Sequence, residues 1–102
     1  MNAVKVQYTV KAEYVETNKR NIERVMTALR EINHPGIKYS AFLLDDGRTF
    51  VHFVLRASDE AAKVLSDLAA FQDFQKQLRA SGPESPPNAE DLSLVGSSWD
   101  FF

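Results

Sequence analysis

Cysteine is absent from all 102 residues, which excludes a disulfide framework, a thiolate nucleophile and a cysteine-ligated metal centre. Histidine is scarce. His34 and His52 are separated by a helix end and a hairpin, so they have neither helical nor hairpin metal-ligand spacing, and no metal is expected. Excess positive charge is also missing: the formal net charge is -2 and no basic run occurs, so neither nucleic acid nor an anionic membrane is an expected partner. No stretch approaches the roughly 20 apolar residues of a membrane span. The opening "MNAVKVQYTV" lacks the apolar centre of a signal peptide, and a cytoplasmic location is the expectation. There is no G-x-S-x-G, P-loop or dinucleotide fingerprint, and no cofactor is expected.

What is present is periodicity. At this length a single domain spanning residues 1–102 is expected. From Val4 to Glu13 the residues alternate, with Val4, Val6, Tyr8 and Val10 on one side and Lys5, Gln7, Thr9 and Lys11 on the other, the pattern of a half-buried strand. After Thr17 and Asn18, both N-cap types, the period becomes helical through Ile22, Val25, Met26, Leu29 and Ile32. That helix is predicted to end at "NHPG", where Pro35 disfavours helical geometry at His34 and Gly36 permits a left-handed turn. Two apolar runs, Ile37 to Leu44 and Thr49 to Ala57, flank Asp46-Gly47, a hairpin signal. Ser58 and Asp59 then cap a helical stripe from Ala61 to Leu78, with a break near Ser66-Asp67. "GPESPP" reads as a connector and Asp91 to Phe102 as the last strand. The order β-α-β-β-α-β predicts an α+β, ferredoxin-like fold: a four-stranded antiparallel sheet with two helices on one face and the other face bare.

A two-residue turn at Asp46-Gly47 sets Leu43 opposite Phe50, Ala41 opposite His52 and Tyr39 opposite Val54. Because Val51, Phe53 and Leu55 form the wholly apolar set of the third strand, they are assigned to the helices, which sends Phe50, His52, Val54 and Arg56 to the bare face. Gln7 and Thr9 are expected there too. A face mixing aromatic, aliphatic and hydrogen-bonding groups suggests an interface or a ligand site. His52 reads either as an interface histidine hydrogen-bonded to its dimer mate or as the candidate catalytic residue. Gln7, Thr9, Tyr39, Phe50 and Trp99 are the candidate ligand contacts, and Ala41, Leu43, Val54 and Arg56 the candidate homodimer interface. His34 reads as a solvated turn residue, and Phe71 and Phe74 as core. The acidic chain and a third strand without the glycine and second aromatic of the RNA-recognition signature leave little for base stacking.

The order of elements, with "GIKYSAFLLDDGRTFVHFVLRAS" followed by "LSDLAAFQDFQKQL", resembles the antibiotic-biosynthesis-monooxygenase-like family of the dimeric α+β barrel superfamily. The resemblance implies a homodimer with a pocket between each sheet and its helices, and for some members oxidation of polycyclic phenols to quinones without metal or flavin. In that chemistry the substrate reduces dioxygen once deprotonated, and the protein supplies binding, a proton acceptor and exclusion of water. His52 is the expected acceptor of the phenolic proton, Tyr39 and Gln7 orient oxygens, and Phe50 and Trp99 pack a flat ring. Haem-degrading relatives use a helix-borne histidine, which neither His34 nor His52 offers. The alternative is a non-catalytic homodimeric module that binds a small molecule or serves as an accessory subunit.

Overall fold

A computed structural model describes all 102 residues. The chain runs β1 (Asn2–Thr9), a short 3-10 turn (Ala12–Tyr14), α1 (Val15–Ile32), β2 (Ile37–Leu43), β3 (Thr49–Arg56), α2 (Asp59–Asp67), α3 (Ala69–Ala80) and β4 (Ser85–Leu92). The four strands form one antiparallel sheet in the order β2-β3-β1-β4, with the helices over one face. This is the ferredoxin-like α+β arrangement anticipated above. No helix is long and apolar enough to cross a membrane.

Local signals account for most boundaries. Helix α1 starts at Val15 instead of after Asn18, which places Asn18 inside the helix and fully buried. Its C-terminus is closed by Asn33 in the left-handed region (φ 53°), whose N–H donates to the Leu29 carbonyl at 2.9 Å. Asparagine tolerates that conformation better than most residues, so the cap falls three positions before Gly36. The Ser58 cap is as anticipated, its Oγ accepting from the Ala61 N–H at 3.2 Å. Leu68, extended at φ -67° and ψ 120°, splits the second helical stretch, so three helices and not two cover the sheet.

The final strand lies earlier than expected. Ser85–Leu92 pairs with β1, and the segment from Ser93 to Phe102 carries no strand. "GPESPP" looked like a connector because Pro86 and Pro87 cannot donate to a ladder. Here β4 is an edge strand, and its register shifts between the partners of Gln7 and Thr9, just where the prolines fall. Edge positions and bulges are where a sheet tolerates proline.

The hairpin register is the anticipated one, with Leu43 opposite Phe50, Ala41 opposite His52 and Tyr39 opposite Val54. The loop is longer than a two-residue turn, since Leu44 N–H bonds the Thr49 carbonyl at 2.8 Å and Asp46 Oδ1 accepts from the N–H groups of Arg48 and Thr49. Its centre is unchanged, so the pairing is unchanged.

The face assignment of β3 is reversed. Val6 pairs with His52 and Tyr8 with Phe50, so the inward set of β1 shares its side of the sheet with Phe50, His52 and Val54. Tyr8, Val10, Val25, Phe50, Phe74 and Leu78 make one buried cluster, and Ile37, Val54, Ala61 and Leu65 a second. The bare face holds the other alternation, including Phe42, which is 56% exposed and meets Phe53 edge-on at 6.0 Å. His52 therefore points at the helices and is 2% exposed.

Candidate functional site

Between the sheet and α3 lies a cavity of about 440 Å³. Its walls are apolar: Val6 and Val54 from the sheet, Phe71, Phe74 and Leu78 from α3. Tyr8, His52 and Tyr39 supply buried polar groups, while Gln75, Arg79, Pro86 and Pro87 are its exposed lining. Strand alternation brings the polar trio together. Tyr8 stands opposite Phe50 and Tyr39 opposite Val54, so each tyrosine lies diagonal to His52 on the same face.

The three are hydrogen-bonded in a row. Tyr8 Oη lies 2.7 Å from His52 Nε2, and Tyr39 Oη lies 2.6 Å from His52 Nδ1. Asn18 extends the row from α1 by donating from Nδ2 to Tyr8 Oη at 2.9 Å. The His52 ring also stacks on Phe74 at 5.5 Å and 29°, and Tyr8 stacks on Phe50 at 5.6 Å and 15°. A buried imidazole with both nitrogens partnered avoids the cost of an unsatisfied polar group.

Burial governs the ionisation of this row. Desolvation lowers the His52 pKa to about 4, because the charged form is the one that loses its hydration. It raises the pKa of both Tyr8 and Tyr39. At neutral pH the row is uncharged. His52 is thus neutral, with each ring nitrogen within hydrogen-bond distance of a tyrosine hydroxyl.

The anticipated site residues separate into groups. His52 and Tyr39 meet in the cavity, and Phe50 lies behind them in the core without lining it. Gln7 and Thr9 occupy the other face of β1, where Gln7 pairs with Val51 and Thr9 Oγ1 bonds Thr49 Oγ1 at 2.8 Å. Trp99 is 65% exposed, packs only on Phe101 among the aromatics and does not reach the cavity. The anticipated interface set lies on the helix side of the sheet. Val54 is packed under α2, and Ala41 and Leu43 share a shallow groove with Lys19 and Ile22 of α1. Arg56 is half-buried at the strand end and donates to Asn2 Oδ1. All four followed His52 in the reversed assignment. His34, expected to be solvated, instead bridges to Glu60 at 2.8 Å.

Tyr8 and Asn18 were missed as site residues. Tyr8 had a legible signal, a hydroxyl within the otherwise apolar set of the first strand; Asn18 looked like a helix cap. Phe71 and Phe74 serve both the core, as expected, and the cavity wall.

No protein-family pattern matches the chain, and comparison with curated proteins returns no match. Solved structures do match. A "putative antibiotic biosynthesis monooxygenase" from Nitrosomonas europaea superposes with a TM-score of 0.78 at 17% identity, covering 94% of this chain and 100% of that one. A protein of the same description from Deinococcus radiodurans gives 0.74 at 12% identity, covering 98% and 97%. SnoaB, a cofactor-independent oxygenase from Streptomyces nogalater, gives 0.72 at 13% identity, covering 97% of each chain. The chain has the monooxygenase-like fold that the sequence resemblance implied.

Proposed function

We propose that residues 1–102 form one domain acting as a homodimer, and that each copy binds a small aromatic molecule of phenol or quinol type in the cavity between sheet and α3. The observation that carries this reading is the cavity itself: about 440 Å³, walled by aromatic and aliphatic side chains, with a single row of hydrogen-bonded groups on one side. Phe71 and Phe74, stacked at 6.2 Å and 28°, suit a flat ring. Ligand sites commonly combine such walls with few polar groups.

The fold shared with SnoaB supports cofactor-free oxygenation as the reaction. A ring methylene set between two aromatic rings, opposite a ring carbonyl, loses its two hydrogens and gains one atom of dioxygen as a carbonyl, while the second oxygen atom leaves as water. The deprotonated substrate supplies the electrons, and the protein's part is to hold it in a dry site. Neither a metal nor a flavin takes part in this scheme. The test is oxygen consumption with a panel of anthrone-type phenols and no added cofactor. Turnover supports the enzyme; saturable binding without turnover supports a binding or accessory module; neither binding nor turnover overturns the aromatic-cavity reading.

The dimer is assigned to the bare sheet face. Phe42, Phe53 and Leu55 line an apolar hollow of about 380 Å³ there with Leu92, Leu94 and Phe101. Contiguous exposed apolar surface of this kind marks association sites.

A further inference from the structure

The direction in which each β2 residue bonds follows from two hydrogen bonds at the ends of the hairpin. Leu44 N–H donates to the Thr49 carbonyl and Ala57 N–H to the Gly36 carbonyl, each at 2.8 Å, and the register between those pairs is unbroken. Bonded and non-bonded pairs alternate along an antiparallel ladder. Lys38, Ser40 and Phe42 therefore bond to β3, while Tyr39, Ala41 and Leu43 turn their N–H and C=O groups away from it. Because β2 is an edge strand, those outward groups have no strand partner within the chain.

The two edges of the sheet are built differently. On β4 the same alternation leaves Pro87, Ala89 and Asp91 outward. Pro87 has no N–H, Asp91 brings a charge, and the register shifts beside the prolines, all devices that protect a free edge. Strand β2 has no proline, no register shift and one charge, Lys38. Leu43 and Leu44 at its end are 38% and 44% exposed. An unprotected edge of this kind is a template for another strand. The chain's own tail does not suit it: Gly96, Ser97 and Ser98 interrupt its apolar residues, the Ser97 hydroxyl accepts from the Trp99 N–H at 3.2 Å in a tight turn, and Leu94, Val95 and Phe101 lie in the bare-face hollow.

We propose that the β2 edge is an interface between copies of this chain, in which two β2 strands pair antiparallel about a two-fold axis at Ala41 and join two sheets into one. The axis sets Ala41 opposite Ala41 and Tyr39 opposite Leu43 on each side, so the outward groups of both copies exchange about six backbone hydrogen bonds. The side chains are compatible with this register. Ala41 is small where it meets its own mate, and a shallow groove of about 210 Å³ beside Ala41, Leu43 and Ile22 leaves room on the helix side. On the bare side Phe42 stands opposite Ser40. Lys38, which belongs to none of the chain's ion pairs, stands opposite Leu44, next to the partner's Asp45 and Asp46 and far from the partner's Lys38. Unlike charges meet and like charges stay apart. The contact uses the edge of the sheet and leaves both faces free, so it adds to the bare-face dimer and does not depend on the cavity reading. Its hydrogen bonds replace bonds to water and each contributes little net, so the pairing forms above the micromolar range.

Sedimentation equilibrium of the full chain between about 1 and roughly 500 µM tests this. The mean mass is expected at least to double across that range. Ala41→Pro removes an outward N–H and no bond to β3, and should abolish the increase while the fold is kept. Ala41→Lys and Ala41→Glu each place like charges opposite one another on the axis and should abolish it too. An equimolar mixture of those two variants should restore it, because only a strand that meets itself at residue 41 turns two repelling variants into an attracting pair. The mixture also decides the matter should Ala41→Pro fail to fold. A parent mass that stays constant over the range, an increase that persists in Ala41→Lys alone, or a mixture that does not associate overturns the inference.

Discussion

Replacing His52 by Phe should change how the stability of the chain depends on pH, and the size of that change follows from burial. The imidazole is held at about 4 in the folded chain, against 6.5 for an ordinary histidine. Between those values the unfolded chain binds more protons than the folded one, so unfolding free energy rises with pH across the interval and levels off above it. Integrating the two titrations, acidification from about pH 7 to about pH 5 removes about 2 kcal/mol through this one side chain. His52→Phe loses that contribution. At neutral pH it is destabilised by roughly 1–3 kcal/mol for each tyrosine hydroxyl left without its partner, although the ring volume is kept. The gap between the two proteins should therefore narrow by about 2 kcal/mol on going to pH 5. Urea unfolding at half-unit pH steps measures it. Every other titrating group, including His34 and the carboxylates, is common to both chains and cancels. A gap that stays constant with pH would refute the claim that His52 is buried uncharged.

Phe53→Asp, placing a charge on the bare face beside Phe42, should convert the proposed dimer to monomer, since burying such a side chain contributes roughly 1.5–3 kcal/mol; sedimentation velocity at micromolar concentration reads this, and a monomeric parent protein would refute the assignment. In that monomeric background, removing Trp99–Phe102 should cost less than about 1 kcal/mol, because Trp99 and Phe102 are 65% and 49% exposed. A loss of several kcal/mol on denaturant unfolding would mean that Phe101, which lines the bare-face hollow, contributes far more than its half-buried position suggests. Ser58→Ala, which removes the acceptor for the Ala61 N–H, should cost about 1 kcal/mol, and an unchanged urea midpoint would show that the cap contributes nothing.

The elements that the sequence revealed are those whose signals are local. Alternation in the first strand, the three-and-four spacing from Ile22 to Leu29, the Ser58 cap and the turn chemistry of Asp46 each act within a few residues, and each appears in the fold. The hairpin register survived a wrong turn length because lengthening the loop symmetrically leaves its centre in place. The last strand failed for the opposite reason. Ser85–Leu92 has no buried residue and two prolines, so neither periodicity nor propensity marks it. It is held by its ladder with β1, a contact between opposite ends of the chain.

The site was half legible for a reason that concerns the sheet more than the histidine. Alternation divides a strand into two sets without saying which one the helices cover. On β3 both sets are largely apolar, and the purer one, Val51, Phe53 and Leu55, invited assignment to the core. The deciding fact is the pairing of Val6 with His52, which ties the His52 side to Tyr8 and so to α1 and α3. A face that lines a cavity needs polar groups, and those groups need partners under the helices; a face that meets a second copy needs neither. In a strand of this kind the mixed set belongs on the covered side and the wholly apolar set on the bare one. Tyr8 carried that information, because a hydroxyl set among Val4, Val6 and Val10 calls for a buried partner, and its partners are His52 on the facing strand and Asn18 on α1.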